Sequence, residues 1–222
     1  MNGKMVIFDI DGTIADSWSC MEYCYRKTFE AFGRTDITED EFVSGFVGDL
    51  HSNLSRMLNI EGDNLAKAIM IFRRTYEGPG HTKSRPFDNI MEVIRQLHSE
   101  GYVLGVASMV YEPYAIDTFE AWGIKNLFVM ICGSEMSGRR TKADMIRMCL
   151  DTAGISAEDA VMIGDGFNDE SAARRTGVGF IAATYGYGIT KENCLEYGYE
   201  FAESPISIPD AVRKHFERDL NP

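Results

Sequence analysis

The chain has 222 residues, 45% of them hydrophobic and 25% charged, which suits one large domain or a domain carrying an insertion and excludes a disordered or fibrous protein. Lys and Arg number 22 against 34 Asp and Glu, a formal charge of −12, so the surface field repels both phosphate backbones and anionic lipid. Nucleic acid and membrane are therefore not expected partners, and any anion must be drawn in by a local feature that overcomes the overall field.

The first apolar run, Met5–Ile10, is short and soon meets acidic residues, so it reads as a buried strand and not as a signal peptide. From Ser17 to Gly78 the pattern is helical only: Trp18, Met21, Tyr25, Phe29 and Phe32 recur at three- and four-residue steps, as do Leu65, Ile69, Phe72 and Tyr76. Cys20 and Cys24 fall on one face of that pattern as small packing groups, and Gly78-Pro79-Gly80 ends it. A helix follows over Phe87–Glu100, with Ile90, Val93, Ile94 and Leu97 on one face and Gly101 where a C-terminal cap favours glycine. The remaining apolar runs are Val103–Ser108, Leu127–Cys132, Ala160–Gly164 and Val178–Ala183, with a helix over Lys142–Thr152 between them. Runs apolar on both faces and separated by helices imply a doubly wound parallel α/β sheet. The helical interval is an insertion after the first strand, giving a core of 1–16 and 81–222 and an inserted domain of 17–80. Five scattered cysteines (Cys20, Cys24, Cys132, Cys149, Cys194) without a CxxC pair argue against disulfides or structural zinc and for a reducing, cytoplasmic setting. No stretch approaches the roughly 20 apolar residues of a membrane span.

The chemistry gathers at strand ends, where open parallel sheets bind ligands. The first run leads into Asp9-Ile10-Asp11-Gly12-Thr13. An extended backbone sends Asp9 and Asp11 the same way, and two carboxylates about 4 Å apart repel by about 4 kcal/mol at an effective dielectric near 20, so a proton or a cation is required between them. Gly12 permits a tight turn, and Thr13 offers a hydroxyl and a backbone N–H to an anion. Alone, this stretch is also compatible with a plain strand-end turn. A second acidic strand end, Gly164-Asp165-Gly166-Phe167-Asn168-Asp169, brings the number of carboxylates to four and calls for Mg²⁺, a hard cation that prefers oxygen ligands. Neither the dinucleotide fingerprint nor the calcium-loop pattern fits this run. Ser108 ends the second strand run, and Lys142 opens the helix after the third, where it can draw a phosphate into a crowd of aspartates.

Taken in order, Asp9-Ile10-Asp11-Gly12-Thr13, Ser108, Lys142 and Gly164-Asp165 with Asp169 resemble the four motifs of the haloacid dehalogenase-like hydrolase superfamily. The helical insertion resembles that of its members with a small helical cap. Pro86-Phe87, the Gly101–Ser108 stretch and Thr184-Tyr185-Gly186-Tyr187-Gly188 are similar to the phosphoglycolate phosphatase and beta-phosphoglucomutase-like branch. The resemblance implies that Asp9 is the nucleophile and Asp11 the acid, then the base. It implies Mg²⁺ held by the Asp9 carboxylate, the Asp11 backbone carbonyl and Asp165, with Asp169 in support. Thr13, Ser108, the Met109 backbone N–H and Lys142 would hold the phosphoryl group. Met109 stands where the family often has Asn or Gly, and Ala143 where Pro is usual, which leaves Arg139 or Arg140 as an alternative cation.

The implied activity is hydrolysis of a small phosphorylated metabolite by a monomer or homodimer. In the cap, Gly48, His51 and Asn53 form a candidate substrate loop running Gly48-Asp49-Leu50-His51-Ser52-Asn53, with helix capping by Asp49 as the other reading. Phosphoryl transfer to a sugar, as in phosphoglucomutases, remains an alternative, as does a non-catalytic phosphate-binding relative. A phosphonate hydrolase would need a cap lysine, for which only Lys27 and Lys67 are present, and Asp11 argues against a dehalogenase. Signalling receivers share paired aspartates but are shorter and have no such insertion.

Overall fold

The computed structural model describes residues 3–45, 50–77, 83–135 and 139–218. It divides into two compact units, Met1–Asp16 with Pro86–Pro222, and Ser17–Arg85. The return into the larger unit thus falls at Pro86, not at residue 81.

The larger unit is built on six parallel strands: β1 (Met5–Phe8), β2 (Val103–Tyr111), β3 (Phe128–Ser134), β4 (Ala160–Gly164), β5 (Gly179–Ala183) and β6 (Glu200–Ala202). Their order is β3-β2-β1-β4-β5-β6, so β1 lies between β2 and β4. Every residue of β1 and of β4 is buried, which is why these runs read as continuously apolar. On one face Met5, Ile7, Ala107, Cys132 and Met162 pack with Met145, Ile146 and Cys149 of α7 (Lys142–Ala153) and with Ala172 and Ala173 of α8 (Phe167–Thr176). On the other, Phe8 meets Phe128, which meets Phe119 of α6 (Glu112–Ala121), the helix that follows α5 (Ile90–Ser99) in the chain. Burial pushes the Cys132 thiol up to about 11 and Cys149 up to about 12, so both are protonated packing groups at neutral pH.

Strand bounds need correction: β2 runs past Ser108 to Tyr111, and β3 past Cys132 to Ser134. The first strand stops at Phe8 and does not reach Ile10, because the Ile10 carbonyl accepts N–H bonds from Thr13 (3.2 Å), Ile14 (2.9 Å) and Ala15 (2.8 Å), closing a tight turn in which Gly12 takes φ +74°. The three-residue β6 has no counterpart in the sequence reading; Glu200-Phe201-Ala202 is too short to show a period.

The smaller unit is helical: α1 (Trp18–Ala31), α2 (Glu39–Gly45), α3 (Leu50–Leu58) and α4 (Gly62–Thr75). Its core holds Cys20, Cys24, Tyr25, Phe29, Phe42, Leu54, Ala68, Ile69 and Phe72, which carries the three- and four-residue spacing seen in the sequence. Leu50 to Asn53 is the first turn of α3 and not part of a loop; Gly48 and Asp49 lie outside the described residues. Among the described residues no helix is long and apolar enough to cross a membrane.

Candidate active site

β1 and β4 pair in register, Phe8 beside Ile163, and the Asp9 N–H donates to the Ile163 carbonyl (2.9 Å). The residues that follow the two strands therefore emerge side by side. Asp9, Asp165 and Asp169 each offer a carboxylate oxygen within 4.8 Å of the others, and all three are buried. Asp11 is only partly buried, and its carboxylate lies outside this group of three. Of the four carboxylates expected to converge, Asp9, Asp165 and Asp169 form this close group, and Asp11 follows Ile10, whose carbonyl closes the turn. The Asp11 charge is still felt at Asp165.

Local structure fixes each remaining group. Thr141 caps α7 in a reciprocal box with Asp144, its hydroxyl accepting the Asp144 N–H (3.2 Å) and its own N–H donating to Asp144 Oδ2 (3.0 Å), which makes Lys142 the first helical residue. Lys142 Nζ reaches Asp9 Oδ2 (2.9 Å) and Asp169 Oδ1 (2.5 Å), although the side chain is only 8% exposed. Asp169 in turn accepts the Gly166 N–H at Oδ2 (3.0 Å), holding the start of α8. Arg140, the alternative cation, is committed elsewhere: its guanidinium pairs with Glu112 and donates to the Gly133 carbonyl (2.8 Å). Ser108 is buried where the β2–β3 pairing shifts register, and its hydroxyl oxygen accepts the Val110 N–H (3.3 Å), leaving the O–H to donate. Met109 beside it is half exposed.

Thr13 departs from its expected part. Its N–H is spent on Ile10 within the turn, so no backbone donor is left there for an anion, while its hydroxyl is buried without a hydrogen-bond partner. In the helical unit His51 is exposed; Asn53 is fully buried, its amide donating to the Tyr25 hydroxyl (3.3 Å) and accepting from Arg56 (3.0 Å).

The electrostatics are those of a site short of positive charge. Burial pushes Asp165 up to about 6, opposed by the Tyr187 N–H and Lys142 and reinforced by the charges of Asp9 and Asp11. Asp169 is raised as well, chiefly by burial, with Lys142 pulling the other way. Burial works against the Lys142 charge, yet Asp169 and Asp9 outweigh it and hold the ammonium firmly protonated. Sequence reasoning missed the Tyr187 N–H, which donates to Asp165 Oδ2 (2.8 Å), and Gly186, where a Cβ would stand 2.3 Å from Asp165 Cβ. The signal was the Thr184–Gly188 stretch named above for its resemblance, to which no contact with Asp165 was assigned.

Residues 6–183 match the model of the haloacid dehalogenase-like hydrolase family. The chain belongs to that family. It is a phosphohydrolase, similar to the family's phosphoglycolate phosphatase branch. It is 31% identical to a 5′-nucleotidase of Pseudomonas aeruginosa over 84% of this chain and 85% of that one. To a phosphoglycolate phosphatase of Vibrio cholerae it is 27% identical, over 83% and 85% of the two chains. Among solved structures, a haloacid dehalogenase-like hydrolase of Streptococcus pneumoniae superposes with a TM-score of 0.84 at 26% identity, covering 95% of this chain and 99% of that one. Protein tyrosine kinase A of Mycobacterium tuberculosis superposes with a TM-score of 0.78, also at 26% identity, covering 96% and 97%. The family's shared architecture is thus common to proteins named for both hydrolysis and phosphotransfer.

Proposed function

We propose that this family member is a Mg²⁺-dependent phosphatase of small phosphate monoesters that carries the phosphoryl group transiently on Asp9. The observation that supports it most directly is the meeting of Asp9 and Asp165, which follow the adjacent strands β1 and β4, with Asp169 of α8 and Lys142 of α7. The donor set suits Mg²⁺: three buried carboxylates offer hard oxygen ligands, and Asp9 Oδ1 is buried without any hydrogen-bond partner. Asp9, Asp165 and the Asp11 carbonyl would hold the ion, with Asp169 supporting through Lys142. When bound, Mg²⁺ offsets the negative charge that otherwise keeps a phosphate out.

The chain's own groups then divide the work. An Asp9 carboxylate oxygen attacks phosphorus, and the bond from phosphorus to the ester oxygen breaks. Asp11 gives its proton to the departing oxygen; as a carboxylate it then takes a proton from water, whose oxygen displaces phosphate from Asp9. Lys142 and the Ser108 hydroxyl hold the equatorial phosphoryl oxygens, where preorganised charge and donors matter most. The helical unit, by the same resemblance, is the substrate-selecting insertion, and a cytoplasmic location suits five thiols and a metabolite substrate.

Phosphate release from a panel of metabolite monoesters with Mg²⁺, beginning with 5′-nucleotides and phosphoglycolate, tests the reading. Release that stops on chelation and in Asp9→Asn is expected; wild-type rates in Asp9→Asn overturn the nucleophile. The likeness to a protein named as a tyrosine kinase favours one second reading, transfer from Asp9 to an acceptor hydroxyl. Phosphorylated acceptor in place of free phosphate would establish it.

A further inference from the structure

Thr184-Tyr185-Gly186-Tyr187-Gly188 follows β5 and takes no part in the chemistry above, yet it surrounds Asp165. The Tyr187 N–H holds Asp165 Oδ2 (2.8 Å), and the Ile189 N–H holds the Asp165 carbonyl (2.6 Å). Side chains are excluded on three sides. A Cβ would lie 2.3 Å from Asp165 Cβ at Gly186, 2.7 Å from the Asp165 carbonyl oxygen at Gly188, and 2.2 Å from Asp165 Oδ2 at Gly12. One backbone N–H thus holds the Asp165 carboxylate and another its carbonyl, with glycines where a Cβ would collide.

The two tyrosines of the loop point to a different part of the chain. The Tyr185 hydroxyl donates to the Thr13 carbonyl (2.8 Å), and the Tyr187 hydroxyl to Asp16 Oδ1 (2.8 Å). Phe87 lies edge-on to Tyr185 (ring centres 5.1 Å apart) and tilted against Tyr187 (6.4 Å), and its N–H donates to the Ile14 carbonyl (3.0 Å). The loop is thereby tied both to the segment by which the chain leaves the α/β unit and to Phe87, one residue after its return at Pro86.

We propose that Tyr187 is a positioning residue: its hydroxyl bond to Asp16 fixes the loop whose backbone aims Asp165 at the metal, with Tyr185 as a second tie through Thr13. The inference rests on the Mg²⁺ reading above. Partners one step removed from a metal ligand set its orientation and with it the affinity. Two steps removed, a smaller effect follows.

Tyr187→Phe keeps the N–H to Asp165 and the ring against Phe87, and removes only the hydroxyl. Direct titration of Mg²⁺ into substrate-free protein is expected to show affinity weakened about threefold to tenfold in Tyr187→Phe and in Asp16→Ala. The double variant is expected to be no weaker than the weaker single one, since both remove one bond. The melting temperature in chelator should stay within about 2 °C of wild type, which separates positioning from general loss of structure. Tyr185→Phe with Tyr187→Phe is expected to weaken Mg²⁺ further than either alone. Wild-type Mg²⁺ affinity in Tyr187→Phe, or full additivity with Asp16→Ala, overturns the proposal while leaving the metal site standing. No Mg²⁺ binding by the wild-type protein overturns the metal reading and this inference with it.

Discussion

In the core of the helical unit, Thr28 and Asn53 are absorbed by packing and hydrogen bonds. Thr28 donates its hydroxyl to the Cys24 carbonyl (2.8 Å), Asn53 bonds Tyr25, and around them Tyr25, Phe29, Phe42 and Phe72 meet with ring centres 4.9–6.4 Å apart. In the α/β unit the buried polar groups do the opposite. Two of three clustered carboxylates share one ammonium at the carboxyl ends of the strands, and Asp9 Oδ1 and Thr13 Oγ1 find no partner. Burying unpaired charge costs stability, so a fold retains such an arrangement where a ligand completes it. Polar groups bonded within an aromatic cluster mark the core of the helical unit; carboxylates crowded around one ammonium mark the site.

That contrast can be broken at several points. The largest expected effect is in Asp9→Asn, which should lower phosphate release at least about a thousandfold. Because it removes one negative charge from a crowded cluster, its denaturation midpoint in chelator should equal or exceed that of wild type; a clear loss of stability would show that the site is as well satisfied as the helical core. Lys142→Met should act in the reverse sense. It leaves Asp9 and Asp169 facing one another, and urea denaturation in chelator should show a loss of about 4 kcal/mol, partly restored by Mg²⁺. Phe72→Ala, in the helical core, should cost about 3 kcal/mol by cavity formation, again by urea denaturation, with Mg²⁺ affinity unchanged by titration. A drop in that affinity would mean that the two units do not separate packing from charge as described. The smallest effect is expected for Lys27→Gln. Lys27 pairs with Glu30 (2.7 Å) on an exposed helix surface, so neither melting temperature nor phosphate release should move. Lost activity would instead revive a role for a lysine of the inserted unit.

Much of this was readable from residues in order. β4 has the bounds that its apolar run predicts, Ala160–Gly164, and the cap at Thr141 puts Lys142 where a helix start was expected. Asp9, Asp165, Asp169 and Lys142 were legible because each sits at the end of an element whose period or capping shows in a short window. Other residues were not. Nothing in the identity of Thr13 says that its N–H is used by Ile10, and nothing in that of Asn53 says that Tyr25 receives its amide. Tyr187 reads as a half-exposed aromatic until its N–H and hydroxyl are seen to hold two different aspartates.

The sequence by itself determined the α/β class, the helical insertion after the first strand and the residue types available for phosphate chemistry, because hydrophobic period and turn chemistry act over a few neighbouring residues. Only the tertiary structure decided that Asp9, Asp165 and Asp169 gather within a few ångströms, that Lys142 and not Arg140 reaches them, and that the loop after β5 holds Asp165. Those outcomes depend on which strands hydrogen-bond in register and where a backbone turn closes, and pairing between distant segments leaves no periodic trace in the chain.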